Sequence, residues 1–223
     1  MCGIIGILAK QDINVLLYLL NGLKQLQNRG YDSAGISILD NTSFVTKKFA
    51  STNNTNSLKK LESELIDLSS NKISNMGIGH TRWATHGAKT DTNSHPHISY
   101  DGNVILVHNG VIENYTELKD ELIKKDIKFV SQTDTEVIVN MIAYYYKTRS
   151  FDQAIIDTIN ILEGTWGLVI ICKDTPNKLY CIRKGSPLLI SENEDYVIIS
   201  SEQSGFNGLV SNYFILDGND LCE

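Results

Sequence analysis

A chain of 223 residues with 26 acidic against 20 basic side chains, and so a net charge of −6, lacks the dense basic surface that nucleic-acid binding requires. With 42% hydrophobic and 21% charged residues it has the make-up of a globular protein of one large domain or two small ones. No apolar run approaches a membrane span, and four cysteines without paired spacing exclude a disulfide framework or a common zinc site.

The chain opens MCGIIGIL, read as a buried strand that ties its own end down. Its apolar start lacks a basic lead, so it is not a signal peptide, which points to a cytoplasmic protein. Cys2 has two readings: a small apolar residue opening a core strand, or, once Met1 is cleaved, a residue carrying both a thiol and an α-amine. Asn14 can cap a helix running to about residue 28, on the helical spacing of Val15, Leu16, Leu19, Leu20, Leu23 and Leu26, with Gly30 as its left-handed stop.

Residues 33–39 alternate as a half-buried strand, 51–57 form a polar loop, and 58–68 a short helix. Strands follow over 76–83 and 103–108. Asn114 with Glu117 reads as a capping box opening a helix over 115–125. Thr133 with Glu136 and Ser150 with Gln153 open helices over about 134–147 and 151–162. Short strands close the chain at 165–173, 178–184, 187–191, 196–200 and 212–217. Cys172 and Cys181 flank KDTPNKLY, where a hairpin could oppose them as two buried thiols. Runs of strands around a pair of helices, with no linker or repeat, predict a single α+β domain of antiparallel sheets covered by helices.

The densest chemistry lies in GHTRWATHG, residues 79–87. Arg82 offers a planar fork matched to a carboxylate, and Thr85 and His86 add donors. A surface turn with an arginine on its rim is the plain alternative. In VILVHNGVIEN, residues 104–114, Asn109-Gly110 is a strong hairpin signal and also a way to aim an amide and a backbone N–H at one point, as an oxyanion hole does. All five histidines fall between residues 80 and 108, yet their spacing fits no common metal-ligand set. TDTE, residues 133–136, is first a helix start; Asp134 could also pair with a ligand ammonium. NRGYDSAG, residues 28–35, is first a helix end, with Arg29 beside it.

Taken together, CGIIGI, RGYDSAG, GHTRWATHG, NSHPH, HNGVIEN and TDTEV, in that order, resemble the glutaminase domain of the glucosamine-6-phosphate synthase family, among the N-terminal-nucleophile (class II) glutamine amidotransferases. The resemblance spans residues 1–223 and implies a four-layer αββα sandwich of two stacked, mainly antiparallel sheets. It implies Cys2 as nucleophile after loss of Met1, with its own α-amine as base, and Asn109 and Gly110 as the oxyanion hole. Arg82, Thr85 and His86 would hold the α-carboxylate of L-glutamine, and Asp134 with Gly110 its α-ammonium. Arg29 would support the nucleophile's surroundings and Trp83 would act as a lid. No metal or cofactor is implied.

The family's sugar-phosphate isomerase domain is absent from this chain, so the implied partner is that domain in the same polypeptide or a separate one; nucleic acid and membrane are not partners, and homo-oligomerisation is left open. Asn28, Ala88-Lys89 and Glu202 stand where the family more often has Tyr, Glu-Pro and Asp; the second departure bears on the stiffness of the lid. Two other readings share these motifs: a glutamine-binding regulatory module without turnover, and an amidotransferase serving a different acceptor.

Overall fold

The computed structural model describes residues 2–69, 74–84 and 87–223. The first strand, β1 (Gly3–Ile13), runs into α1 (Val15–Gln25), whose first turn is capped by the Asn14 side chain accepting from the Leu17 N–H. This helix stops sooner than its apolar spacing suggests, and a 3-10 turn, Gln27–Arg29, completes it. Gly30 is not a left-handed stop. Its φ of −167° is extended, and glycine is needed because a Cβ would stand 2.6 Å from the carbonyl carbon of Arg82.

The strand β2 (Ser33–Asp40) turns through Asn41, at φ 53°, into β3 (Ser43–Ala50). The sequence reading passes over β3, an edge strand whose residues are nearly all half-buried and so show no clean alternation. Next come α2 (Ser57–Ser69), β4 (Ser74–Arg82), β5 (His97–Ile98) and β6 (Val104–Ile112). Three helices follow, α3 (Tyr115–Ile123), α4 (Asp134–Tyr146) and α5 (Phe151–Ile161). The chain closes with β7 (Gly164–Cys172), β8 (Tyr180–Lys184), β9 (Leu189–Glu192), β10 (Tyr196–Ser200) and β11 (Phe214–Ile215).

Two sheets result among the described residues, ordered β11-β9-β10-β1-β4-β2-β3 and β5-β6-β7-β8, with every ladder antiparallel. Because side chains alternate along a strand, each sheet offers two faces. On the larger sheet Ile5, Ile7, Ala34, Ile36, Ile38 and Ile198 pack under α1 and α2. Its other face, with Ile4, Met76, Ile78 and Ile199, meets Ile105, Val107, Val169 and Ile171 of the smaller sheet. The far face of the smaller sheet, with Val104, Leu106, Leu168 and Ile170, lies under α4 and α5. The layers are therefore α, β, β, α. Full burial of one such aliphatic side chain stabilises the fold by about 1.5–3 kcal/mol.

Three local expectations give way to longer-range contacts. Asn109-Gly110 is not a hairpin turn: both residues lie within β6, opposite Gly167 and Trp166 of β7. Asn114 does not cap α3 with its side chain but joins the 161–163 segment, donating to Ile161 O at 2.8 Å and accepting from Glu163 N at 3.1 Å. Cys172 and Cys181 do not face each other; Cys172 is opposite Val104 and Cys181 opposite Val169. Cys181 instead forms an antiparallel bridge with Cys222.

Candidate active site

At one end of the space between the sheets the apolar rows turn polar. On β4 the inward row runs Met76, Ile78, then His80 and Arg82; on β6 it runs Ile105, Val107, then Asn109. On β1 Ile4 is opposite His80, and Gly3 opposite Thr81, so Cys2 arrives beside Arg82 one step further on. Residues far apart in sequence thus share one corner because three strands keep their register.

The Cys2 sulfur accepts from the Trp83 N–H at 3.2 Å and its thiol reaches the Trp83 carbonyl at 3.5 Å. Burial pushes the thiol pKa above its ordinary value; the Trp83 N–H and the Arg82 charge oppose that, and Asp134 adds to it. At neutral pH the sulfur therefore keeps its proton unless a base takes it. Arg82 is buried, and burial pulls its pKa down while Cys2, Asp134 and Asp32 favour its charge.

Asn109 donates from Nδ2 to the Cys2 carbonyl at 2.9 Å. Gly110 has φ 139°, and a Cβ there would run into the Thr165 carbonyl oxygen, so glycine is required. Asp134, buried at the start of α4, accepts from the Ile112 N–H at 2.9 Å, which locks that helix to the end of β6. The next acid in the motif, Glu136, accepts from the backbone of Val130 and Ser131 and shapes the approach to the helix.

Behind this corner lies a layer of buried histidines. His80 Nε2 is 3.0 Å from the His108 carbonyl and 3.1 Å from Asn109 Oδ1. The His80 ring stacks on His95, with ring centres 4.1 Å apart. The Thr135 hydroxyl joins His95 Nε2 at 2.9 Å and His108 Nδ1 at 3.0 Å, and His97 Nε2 meets Thr133 Oγ1 at 3.1 Å. Burial pushes His80 down to about 3 and holds His95 and His97 well below the usual imidazole range, so all three rings are neutral near pH 7. Among the described residues no group of three or more His, Cys, Asp or Glu side chains is arranged to hold a metal ion.

The flanks of the site are braced. Arg29 pairs with Glu202 at 2.7 Å, and the adjacent Ser201 accepts the Ile4 N–H at 2.9 Å, so this pair stands beside the strand that carries Cys2. Trp83 directs its backbone to the sulfur while its ring, 45% exposed, meets Tyr31 edge-on at 5.3 Å. Thr85 and His86 lie outside the described residues.

Asp32 holds both sides of that stretch, accepting from Ala84 N at 2.9 Å and pairing with Lys89 at 2.5 Å. Lys48, which burial lowers to about 8, donates to the carbonyls of Ser94 and Pro96 and fixes the NSHPH segment. Sequence reasoning assigns no role to Asp32, Lys48 or Thr135. An acid within RGYDSAG was the one visible signal for the first, and the other two depend on contacts across the fold.

A family model for the glutamine amidotransferase domain matches residues 80–208. The chain is 39% identical over 221 residues to glutamine–fructose-6-phosphate aminotransferase (isomerizing) of Clostridium tetani, covering 99% of this chain and 35% of that protein. It is 42% identical over 203 residues to the Clostridium acetobutylicum enzyme of the same name, covering 91% and 32%. The chain thus spans about a third of the length of these relatives. Among solved structures, glutamine phosphoribosylpyrophosphate amidotransferase of B. subtilis superposes with a TM-score of 0.79 at 24% identity, over 97% of this chain and 46% of that one. That likeness shows that the two proteins share the same fold. With more than half of its length matched by the family model and close to two-fifths identity along nearly all of it, the chain belongs to the glutamine amidotransferase domain family.

Proposed function

We propose that this glutamine amidotransferase domain, residues 1–223, hydrolyses the side-chain amide of L-glutamine through a γ-glutamyl thioester on Cys2. The observation that carries the reading is the convergence, at one corner between the sheets, of a cysteine thiol, a buried guanidinium, a buried carboxylate and a carboxamide donor. A free amino acid bears one negative and one positive group on its α-carbon. Arg82, with Thr85 and His86, matches the carboxylate; Asp134, with Gly110, matches the ammonium. The side-chain amide then extends toward Cys2.

A thiol that holds its proton needs a base. Removal of Met1 would free the Cys2 α-amine, whose ordinary pKa of about 7.7–8 leaves part of it unprotonated at neutral pH. The amine takes the thiol proton, and sulfur adds to the δ-carbonyl carbon. Negative charge gathers on the carbonyl oxygen, where the Asn109 Nδ2 and Gly110 N–H groups can donate to it. Collapse expels ammonia, which takes its proton from the α-ammonium. Water then attacks the thioester, releasing glutamate and restoring the thiol. Arg29 steadies the surroundings of Cys2 and the Trp83 ring serves as a lid.

The names of the relatives support fructose 6-phosphate as the acceptor. Ammonia would pass to fructose 6-phosphate, giving glucosamine 6-phosphate, on an isomerase domain in the same polypeptide or a partner chain, in the cytoplasm. Intact-mass measurement of Met1 loss, paired with ammonia release from glutamine, tests the first step, and Cys2→Ala should abolish it. Glutamine binding without any ammonia would make the domain a binding module instead. Supplying an isomerase domain and fructose 6-phosphate tests the acceptor.

A further inference from the structure

We propose that His80 is a positioning residue that fixes which way the Asn109 carboxamide faces, and so keeps its N–H donors on the Cys2 side. This deepens the glutaminase reading above and rests on it. A carboxamide can sit in its socket two ways round, with nearly equal shape and opposite chemistry. Only one of them donates toward the place where an oxyanion forms.

His80 selects it from behind, in agreement with the Cys2 carbonyl in front, by a short chain of logic. Its Nε2 lies 3.0 Å from the backbone carbonyl of His108, a group that can only accept, so Nε2 must carry the proton. The same N–H is 3.1 Å from the Asn109 side chain, which must therefore present its oxygen. The other end of the amide is then Nδ2, 2.9 Å from the Cys2 carbonyl. Both His80 and Asn109 are buried, so bulk water offers no competing partner for a reversed amide. Among the described residues Nδ1 of His80 has no hydrogen-bond partner, as expected of the unprotonated nitrogen, and the ring is clamped face to face on His95.

The titratable groups facing His80 are His95, stacked on its ring, His108 and Arg82. Burial chiefly disfavours a second proton, the His108 and Arg82 charges add to that, and the bonds to the His108 carbonyl and Asn109 oppose it. A doubly protonated imidazole would place a cation behind the nucleophile. The neutral single-tautomer ring avoids that while still donating.

The test uses the chain with Met1 removed, checked by intact mass, in four forms: wild type, His80→Leu, His80→Gln and His80→Leu in an Asn109→Ala background. Gln can donate from nearly the position of Nε2 but cannot stack on His95; Leu can do neither. Expected are a kcat about 10–100-fold lower for His80→Leu with KM changed less than about threefold, and recovery of most of that loss by His80→Gln. In the Asn109→Ala background His80→Leu should cost less than about threefold, because its target is gone.

Long-range proton–nitrogen NMR of the wild type should show the His80 proton on Nε2, a readout independent of turnover. A proton on Nδ1, equal losses for Leu and Gln, or full additivity with Asn109→Ala overturns the inference while leaving the glutaminase reading intact. A wild-type chain that releases no ammonia overturns both.

Discussion

The two ends of the space between the sheets are built from the same strands and differ in what those strands carry. At one end Met76, Ile78, Ile105 and Val107 close an apolar layer; at the other, one or two steps along, the same rows present His80, Arg82 and Asn109, with Cys2 beside them. The apolar end supplies stability and fixes register. The polar end inherits its geometry from that register and is just as buried, but what it buries is polar and held by hydrogen bonds. The strands that stay in step place Cys2, Arg82 and Asn109, and the start of α4 adds Asp134 through its bond to the Ile112 N–H.

That division can be broken by substitution, and Cys2→Ala should have the largest effect. Glutamine hydrolysis should fall by about 10⁴-fold or more, read as ammonia release, while the urea midpoint stays unchanged. Asn109→Ala should lower kcat by about 10²–10³-fold in the same assay. The opposite end should answer in the opposite way. Ile105→Ala, in the apolar layer, should cost about 2–5 kcal/mol in urea unfolding and leave kcat per folded molecule intact.

Stability should also respond to acid. His80 is held neutral in the folded chain, down to about 3 from an ordinary 6.5, so the unfolded chain binds more protons at intermediate pH. Its contribution is full above pH 6.5 and is lost as pH falls toward 3. His80→Gln should flatten that part of the slope, measured as urea midpoints from pH 7 to pH 4, with the share from His95 and His97 remaining. The smallest effect is expected from Lys89→Ala. Lys89 is exposed and pairs with Asp32, so Tm should move by less than about 2 °C while the KM for glutamine rises a few-fold.

The fold was legible where local chemistry agreed with the final contacts. Asn14 and Ser150 cap their helices as their positions suggest, and Ser33 to Leu39 is a strand, though buried on both faces rather than half-buried because α1, α2 and the second sheet cover it. It was misread where a local signal was overruled from a distance. Asn109-Gly110 carries a turn signature, yet the glycine is there because β7 passes against it and the asparagine because Cys2 lies opposite. Gly30 likewise answers to the backbone of Arg82, not to the helix it follows. The crowding of histidines was visible, but not that they would stack in a neutral layer behind the site. Lys48 and Asp32 look like ordinary surface charges in the sequence; their partners lie 44–57 residues away, in the 92–96 and 84–89 segments.

The placement of β1, flanked by β10 on one side and β4 on the other, has a thermodynamic consequence. A side chain on a loose segment wanders through a large volume, and any reaction using it must repeatedly confine it. Here the confinement is accomplished once, when the sheet closes, so the sulfur needs little further ordering as each molecule of substrate arrives.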